Sequence, residues 1–270
     1  MTPNQINSRL VRRNFSTHAE AYDRHAVVQQ RVVAKLAAML LQSGPLSGRL
    51  LDVGTGTGQL AATLAAACPK LRLVLSDIAH GMSCHAATAL PGALAIDGDA
   101  QSLPLRAGSC DLVVSASVYQ WMNDLPRAFA EVARVLPRGG RFGFALFGSE
   151  TLFELRSCPR QAVKELSATG RSHVLEFPDL GQVRQALDGA GLQTRELRRQ
   201  IEVEYHPELA SLLRGLKAIG ASNAAAVRPQ GLASRQVMNR MGEIYRQAFG
   251  RSVGLPASYD VIYALAQKPK

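Results

Sequence analysis

The ten residues Leu50–Gln59, LLDVGTGTGQ, place an apolar run, an acid and three alternate glycines directly ahead of QLAATLAAA, a segment rich in helix formers. A strand that enters such a turn and leaves as a helix begins a parallel sheet. Glycine belongs where the backbone bends sharply or lets a ligand come close. The pattern therefore predicts a ligand against bare backbone near Gly54, Gly56 and Gly58. Its spacing is GxGxG, not GxGxxG, and no Lys-Ser or Lys-Thr pair follows to hold a triphosphate, which argues against a P-loop.

Apolar runs of strand length alternate with segments of helical period along the chain, the pattern of a mainly parallel sheet covered by helices. Strands are expected at Arg49–Val53, Leu71–Ser76, Ala93–Asp97, Asp111–Ser115, Arg141–Phe147, Glu196–Tyr205 and Tyr259–Ala266, with helices at Leu60–Ala67, Leu125–Val135 and Leu180–Ala190. With 270 residues, 47% of them hydrophobic, one elaborated domain over 1–270 is expected. Two helical regions stand outside the alternation, Ala19–Leu41 and Pro207 to about Ser252, and Thr151–Glu176 suggests a shorter excursion. Ligands of open α/β sheets lie beyond the carboxyl ends of the strands, where such additions can cover them. The expected organisation is thus a helical lid over 1–48, a cofactor-binding core over 49–148 and a helical insertion over 207–252.

The four cysteines are scattered without a CxxC pair or a histidine at zinc-ligand spacing, so they read as thiols of a reducing compartment and no metal is expected. No apolar leader follows the N-terminus, and Arg31 and Lys35 interrupt the one long apolar stretch. A cytoplasmic protein without membrane attachment is the expectation. The net charge of +10 attracts acidic partners of any kind. No basic run with interleaved aromatics points to nucleic acid, which is not expected as a partner.

Asp77 closes the second strand, LRLVLSD, where a carboxylate can accept hydrogen bonds from both hydroxyls of a ribose. Asp99 follows the third strand in IDGDAQSLPL, beside Ala100, and the fourth strand ends in the small residues Ser115–Ser117. Glycines and acids in this order over Leu50–Phe147 resemble the class I S-adenosylmethionine-dependent methyltransferases. That likeness implies a Rossmann-like α/β fold with a seven-stranded, mostly parallel sheet, helices on both faces and a helical lid. It implies S-adenosylmethionine as cofactor, with Asp52 near its ammonium, Gly54 and Gly56 against its backbone, Asp77 on the ribose, and Asp99 with Ala100 on the adenine. Thr55, Gly58, Ile78, Ser115 and Gln120 complete the implied pocket. A sulfonium is held among carboxylates and carbonyl dipoles, whereas NAD, the runner-up, needs its pyrophosphate neutralised.

Outside the core, NFSTHAEAYDRHAVVQ (Asn14–Gln29), QWMNDLPRAFAEVARVLPRGG (Gln120–Gly140), FGSETLFELR (Phe147–Arg156) and LLRGLKAIGAS (Leu212–Ser222) resemble the malonyl-acyl-carrier-protein O-methyltransferases of biotin biosynthesis. The resemblance implies methyl transfer to the free carboxylate of a malonyl thioester on acyl carrier protein, with malonyl-coenzyme A a further possible carrier. Methylation cancels a charge and lets apolar pockets accept the chain. Carrier proteins are typically acidic, which suits the basic balance. A carboxylate is ionised at neutral pH and needs no general base, so positioning is the main demand.

Tyr22, on the segment resembling the family's lid, is the expected hydroxyl at the reacting group. Arg156 is the first choice for the malonyl carboxylate, since a guanidinium binds it bidentately, and Lys217 the second. Gln120 and Trp121 are candidates for one wall. His18, His25, His80 and His85 have no placement as a base. Two other readings stay open: a methyltransferase for another acceptor, such as a quinone precursor or a nucleic acid, and a non-catalytic cofactor-binding protein. The absence of an NPPY-type motif after the fourth strand counts against methylation of a base nitrogen.

Overall fold

The computed structural model describes residues 6–158, 176–221 and 232–270. Its strands are β1 (Arg49–Val53), β2 (Arg72–Asp77), β3 (Leu94–Asp97), β4 (Leu112–Ala116), β5 (Arg141–Phe147), β6 (Gln193–His206) and β7 (Leu255–Gln267). They form one sheet in the order β3-β2-β1-β4-β5-β7-β6. The pairs among β1 to β5 are parallel, and β7 runs antiparallel to both β5 and β6. Chain order reverses beside β1, with β2 and β4 as its two neighbours, and the loops diverging from β1 and β4 open a crevice at their carboxyl ends.

The helices are α1 (Ser8–His25), α2 (Val27–Gln42), α3 (Gln59–Ala67), α4 (His80–Ala89), α5 (Leu125–Val135), α6 (Leu180–Gly189), α7 (Leu209–Ala218) and α8 (Leu232–Phe249). Side chains alternate across each strand, so neighbours fall into different core layers. Leu50, Leu75, Val114 and Phe147 pack in the layer that contains Val28, Val32, Leu36 and Leu40 of α2. Leu51, Val74, Val113 and Phe144 pack on the other side with Phe129 and Val132 of α5 and Val183 and Leu187 of α6. β7 lies between two strands and is buried along almost its whole length, whereas the edge strand β6 exposes Arg198 and Arg199, charges that discourage pairing with another chain.

The N-terminal helical region divides at Ala26, whose φ of −88° and ψ of 45° leave the helical range. Downstream of that break, α2 spaces its apolar residues three and four apart and seats them on the sheet, so it is part of the core. Of the expected lid over 1–48, α1 alone crosses the crevice. It is held there by hydrogen bonds from Thr57 Oγ1 to Asp23 Oδ1 (2.8 Å) and from the Gly81 N–H to Ser16 Oγ (3.3 Å). Helix α4 was not expected, because HGMSCHAATA carries no clear apolar stripe; it packs against α1, β2 and β3. The expected insertion over 207–252 contains α7 and α8, and its residues 222–231 lie outside the described residues. The excursion at Thr151–Glu176 is described as a turn and a short helical stretch to residue 158 and again at Glu176. All four cysteines are free thiols. Among the described residues no helix is long and apolar enough to cross a membrane, and no cluster of metal-ligating side chains occurs.

Candidate active site

The turn after β1 is built as its glycines require. Gly54 and Gly56 have φ of +65° and +56°, where a side chain is strained. A Cβ on Gly54 would come within 2.3 Å of Val118 Cγ2, whereas one on Gly56 would project into open space. That space is a cleft of about 620 Å³, partly open to solvent. Gly54, Gly56, Asp77, Ile78, Asp99 and Ala100 line it, as the sequence led us to expect. Apolar walls come from Val118 and Met122 after β4, Met82 of α4, and Val11 and Phe15 of α1. A contiguous cleft of about 440 Å³ carries Asp52 and Thr55, with Thr57 and Gln59 beyond them.

The Asp77 carboxylate accepts the Gly56 N–H at 3.0 Å and the Ala79 N–H at 2.8 Å, which fixes it at the lip of the turn. Asp52 accepts the Thr55 hydroxyl at 3.0 Å. The two acids are 8% and 1% exposed. Burial, partly countered by these hydrogen bonds, pushes Asp77 up to about 6 and Asp52 up to about 7. Both therefore keep a proton in the folded chain at pH values where the unfolded chain, near 3.8, has lost it, and stability from these groups falls as pH rises from about 4 through 7. A cationic ligand favours the ionised acids and reverses that preference. Its affinity should rise as pH rises through 6 to 7, and binding near pH 6 should release protons. Calorimetry in buffers of different ionisation enthalpy checks both; an affinity that falls over this range would contradict the placement of these acids.

A third cavity, of about 420 Å³, lies on the other side of Tyr22. Its apolar walls include Trp121, Phe147, Leu152 and Phe177 together with Leu216 and Ile219 of the LKAIGAS segment, and its polar groups include Gln29, Thr151 and Tyr259. Phe15 and Phe177 pack edge-on against Trp121, with ring centroids 5.9 and 6.0 Å away. Tyr22 and Ser117 border all three spaces. Burial and the nearby acids Asp23 and Asp77 raise the Tyr22 phenol, so it stays protonated. Ser117 holds a φ of +60°, uncommon for a residue with a side chain, and its buried hydroxyl has no partner among the described residues.

Five expected site residues have other placements. Ser115 lies on the opposite face of β4 from Ala116, by strand alternation, and its hydroxyl donates to the Val53 carbonyl at 2.8 Å; Ala116 and Ser117 border the cleft instead. Gly58, with φ of +86°, heads α3 and borders none of these spaces. Gln120 lines the third cavity, where its amide donates to the Ser117 carbonyl at 2.7 Å and its Oε1 accepts the Phe147 N–H at 3.4 Å. Arg156 turns its guanidinium onto the Ser149 carbonyl, and neither it nor the exposed Lys217 lines any of the three spaces. Lys217 lies in the last turn of α7, whose Leu212 and Leu216 take the buried side.

Reading from sequence missed Gln29, Tyr259, Phe177 and, on α1, Val11 and Phe15. Gln29 had a visible signal: it precedes Val32, Val33 and Leu36 at helical spacing, a polar residue on an otherwise apolar stripe. Tyr259 had none, since its strand is buried on both faces.

These spaces fit S-adenosylmethionine. Glycine backbone leaves room at Gly56, buried carboxylates stand at two depths, and apolar side chains flank the Asp99–Ala100 end. None of the described residues lining the donor clefts is Lys, Arg or His, so a pyrophosphate of NAD would lack a cation. The fold and site define a methyltransferase of the Rossmann-like class. A family model described as a methyltransferase domain matches residues 51–144. The fold is shared with the YcgJ protein of Bacillus subtilis, at a TM-score of 0.61 and 18% identity over 88% of this chain and 99% of that one.

The chain is 42% identical over 266 residues to malonyl-[acyl-carrier protein] O-methyltransferase of Geobacter sulfurreducens, covering 97% of this chain and all of that one. It is 37% identical to the enzyme of that name from Methylococcus capsulatus, over 94% of this chain and 92% of the relative. The chain belongs to the malonyl-[acyl-carrier protein] O-methyltransferase family.

Proposed function

We propose that the protein transfers a methyl group from S-adenosylmethionine to the free carboxylate of a malonyl thioester on acyl carrier protein, giving the malonyl methyl ester that primes the pimelate portion of biotin. One observation carries this reading. Identity to the Geobacter relative spans 97% of the chain, far beyond the 51–144 core, into the elements that build the third cavity: α1, α2, the Thr151–Leu152 turn, α7 and β7. A methyltransferase for a different acceptor would share the donor clefts and have no need of those elements.

When bound, the cofactor supplies a methyl group on a positively charged sulfur; attack by a carboxylate oxygen forms a carbon–oxygen bond, breaks the carbon–sulfur bond and leaves a neutral ester and thioether. The chain's own residues position and enclose. Asp77, tied to two backbone N–H groups, presents its remaining lone pairs to hydroxyls, and Asp52 sets negative charge behind the turn. Phe15 and Trp121 close the junction with apolar surface and strengthen every polar contact inside it. No general base is required, and no histidine of the described residues lines the site. Tyr22, protonated at the junction, offers its O–H to an acceptor oxygen.

Intact-mass analysis of malonyl-loaded carrier protein should show the gain of one methyl group, absent for the acetyl-loaded form. No gain would direct the activity to another acceptor, such as a quinone precursor. Tyr22→Phe should lower kcat about tenfold or more while changing cofactor affinity less than about threefold, the pattern of a lost hydrogen bond at the reacting group. Full activity would reduce Tyr22 to a packing role.

A further inference from the structure

Gln29 on α2 and Tyr259 on β7 are 9% and 5% exposed, and neither side chain has a hydrogen-bond partner among the described residues. Their polar ends are not sealed inside protein but open onto the cavity, where an atom of a bound molecule can pair with them. The two groups, from α2 and β7, border one cavity next to Tyr22, and Gln29 also borders the cleft that carries Asp52. None of the described residues lining that cavity carries a positive charge.

We propose that Gln29 and Tyr259 form an uncharged clamp for the acceptor carboxylate, donating an amide N–H and a phenol O–H to it; this rests on the function proposed above. The chemistry of the reaction favours neutral donors. A guanidinium would hold the carboxylate as an ion pair and draw on the lone pairs that must attack, whereas N–H and O–H donors orient the oxygens at smaller cost to their nucleophilicity. Methylation also removes the charge that strengthens these hydrogen bonds, so the ester is held more weakly than the acid and leaves. A thioester without a carboxylate would leave both donors unpaired, which gives discrimination against acetyl and longer saturated acyl groups. The clamp accounts for the position of Arg156 on a backbone carbonyl outside the cavity.

The test compares two ligands on Gln29→Met and Tyr259→Phe, variants that keep the volume and remove the donor. The dissociation constant of malonyl-loaded carrier protein should rise about tenfold or more in each, as for loss of a hydrogen bond to a charged group. That of the methyl-ester-loaded carrier protein should change less than about threefold in both variants, and the affinity for S-adenosylmethionine less than about threefold in Tyr259→Phe, whose side chain borders neither donor cleft. Loosening of the cavity walls would weaken acid and ester alike, so equal losses would overturn the clamp, as would unchanged binding of both. If the wild-type protein adds no methyl group to malonyl carrier protein, the function itself fails and the clamp with it. An active wild-type enzyme with unaffected variants removes the clamp alone.

Discussion

Asp77→Ala should weaken S-adenosylmethionine binding by about ten- to a hundredfold, the loss expected when hydrogen bonds to a charged acceptor worth roughly 1.5–3 kcal/mol are removed. The carboxylate has two functions in the cleft. Its oxygens accept the Gly56 and Ala79 N–H groups, holding the turn open, and the same oxygens line the space beside Ile78. Asp77→Asn separates them, because the amide retains one carbonyl oxygen but turns an N–H₂ toward one of the two backbone donors. It should fall between wild type and the alanine variant in affinity. Calorimetric titration gives the constants, and a melting curve shows whether the fold survives. Unchanged affinity in Asp77→Ala would show that the ribose lies elsewhere.

The second large effect is expected at Gly54. Two costs act on Gly54→Ala: roughly 1–2 kcal/mol for placing a side chain at positive φ, and about 1–3 kcal/mol of overpacking, because the new methyl meets Val118 at 2.3 Å. Val118 itself lines the donor cleft, so relief of the overlap moves a wall of the binding space. Gly92→Ala is the matched control. Its φ of +92° imposes comparable backbone strain, and nothing lies within 4 Å of the added carbon. Gly54→Ala should therefore lower Tm further than Gly92→Ala and also lose most cofactor affinity, while the control keeps its affinity. Equal Tm losses with intact cofactor binding in both would mean that the close approach at Gly54 is of no consequence.

The glycines and acids of the donor side were legible because they lie close in sequence to a strand end, unlike Val11 and Phe15 of α1, which wall the same cleft. Gly54, Gly56 and Asp77 occupy positions set by where β1 and β2 stop, and a short apolar run followed by glycine or aspartate marks that stop directly. Ser115 shows the limit of such reading. A strand end can be found from the run, but a shift of one residue exchanges the two faces of the sheet, and only the packing decides which face meets the cleft. Gly58 shows another: its positive φ is needed to start α3, so a glycine in a binding turn can belong to the turn alone.

On the acceptor side the family likeness pointed to segments that build the third cavity, while the two cations expected from it do not line that cavity. Arg156 and Lys217 are the cations that complementarity to a malonyl group suggests, yet each lies next in sequence to residues that take the buried side. The periodicity of a helix indicates which residues share a face, but the partner of that face lies more than a hundred residues away, as Gln29 and Tyr259 do.

The sequence alone determined the order of the strands, the glycine turn and the acids beside it, because these follow from local hydrophobic period and backbone sterics. Only the tertiary structure decided that α1 crosses the crevice while α2 enters the core, and that two neutral side chains from distant elements face the acceptor cavity. The physical reason is that burial of a polar group is a property of everything packed around it, and those neighbours come from parts of the chain that no short stretch of sequence contains.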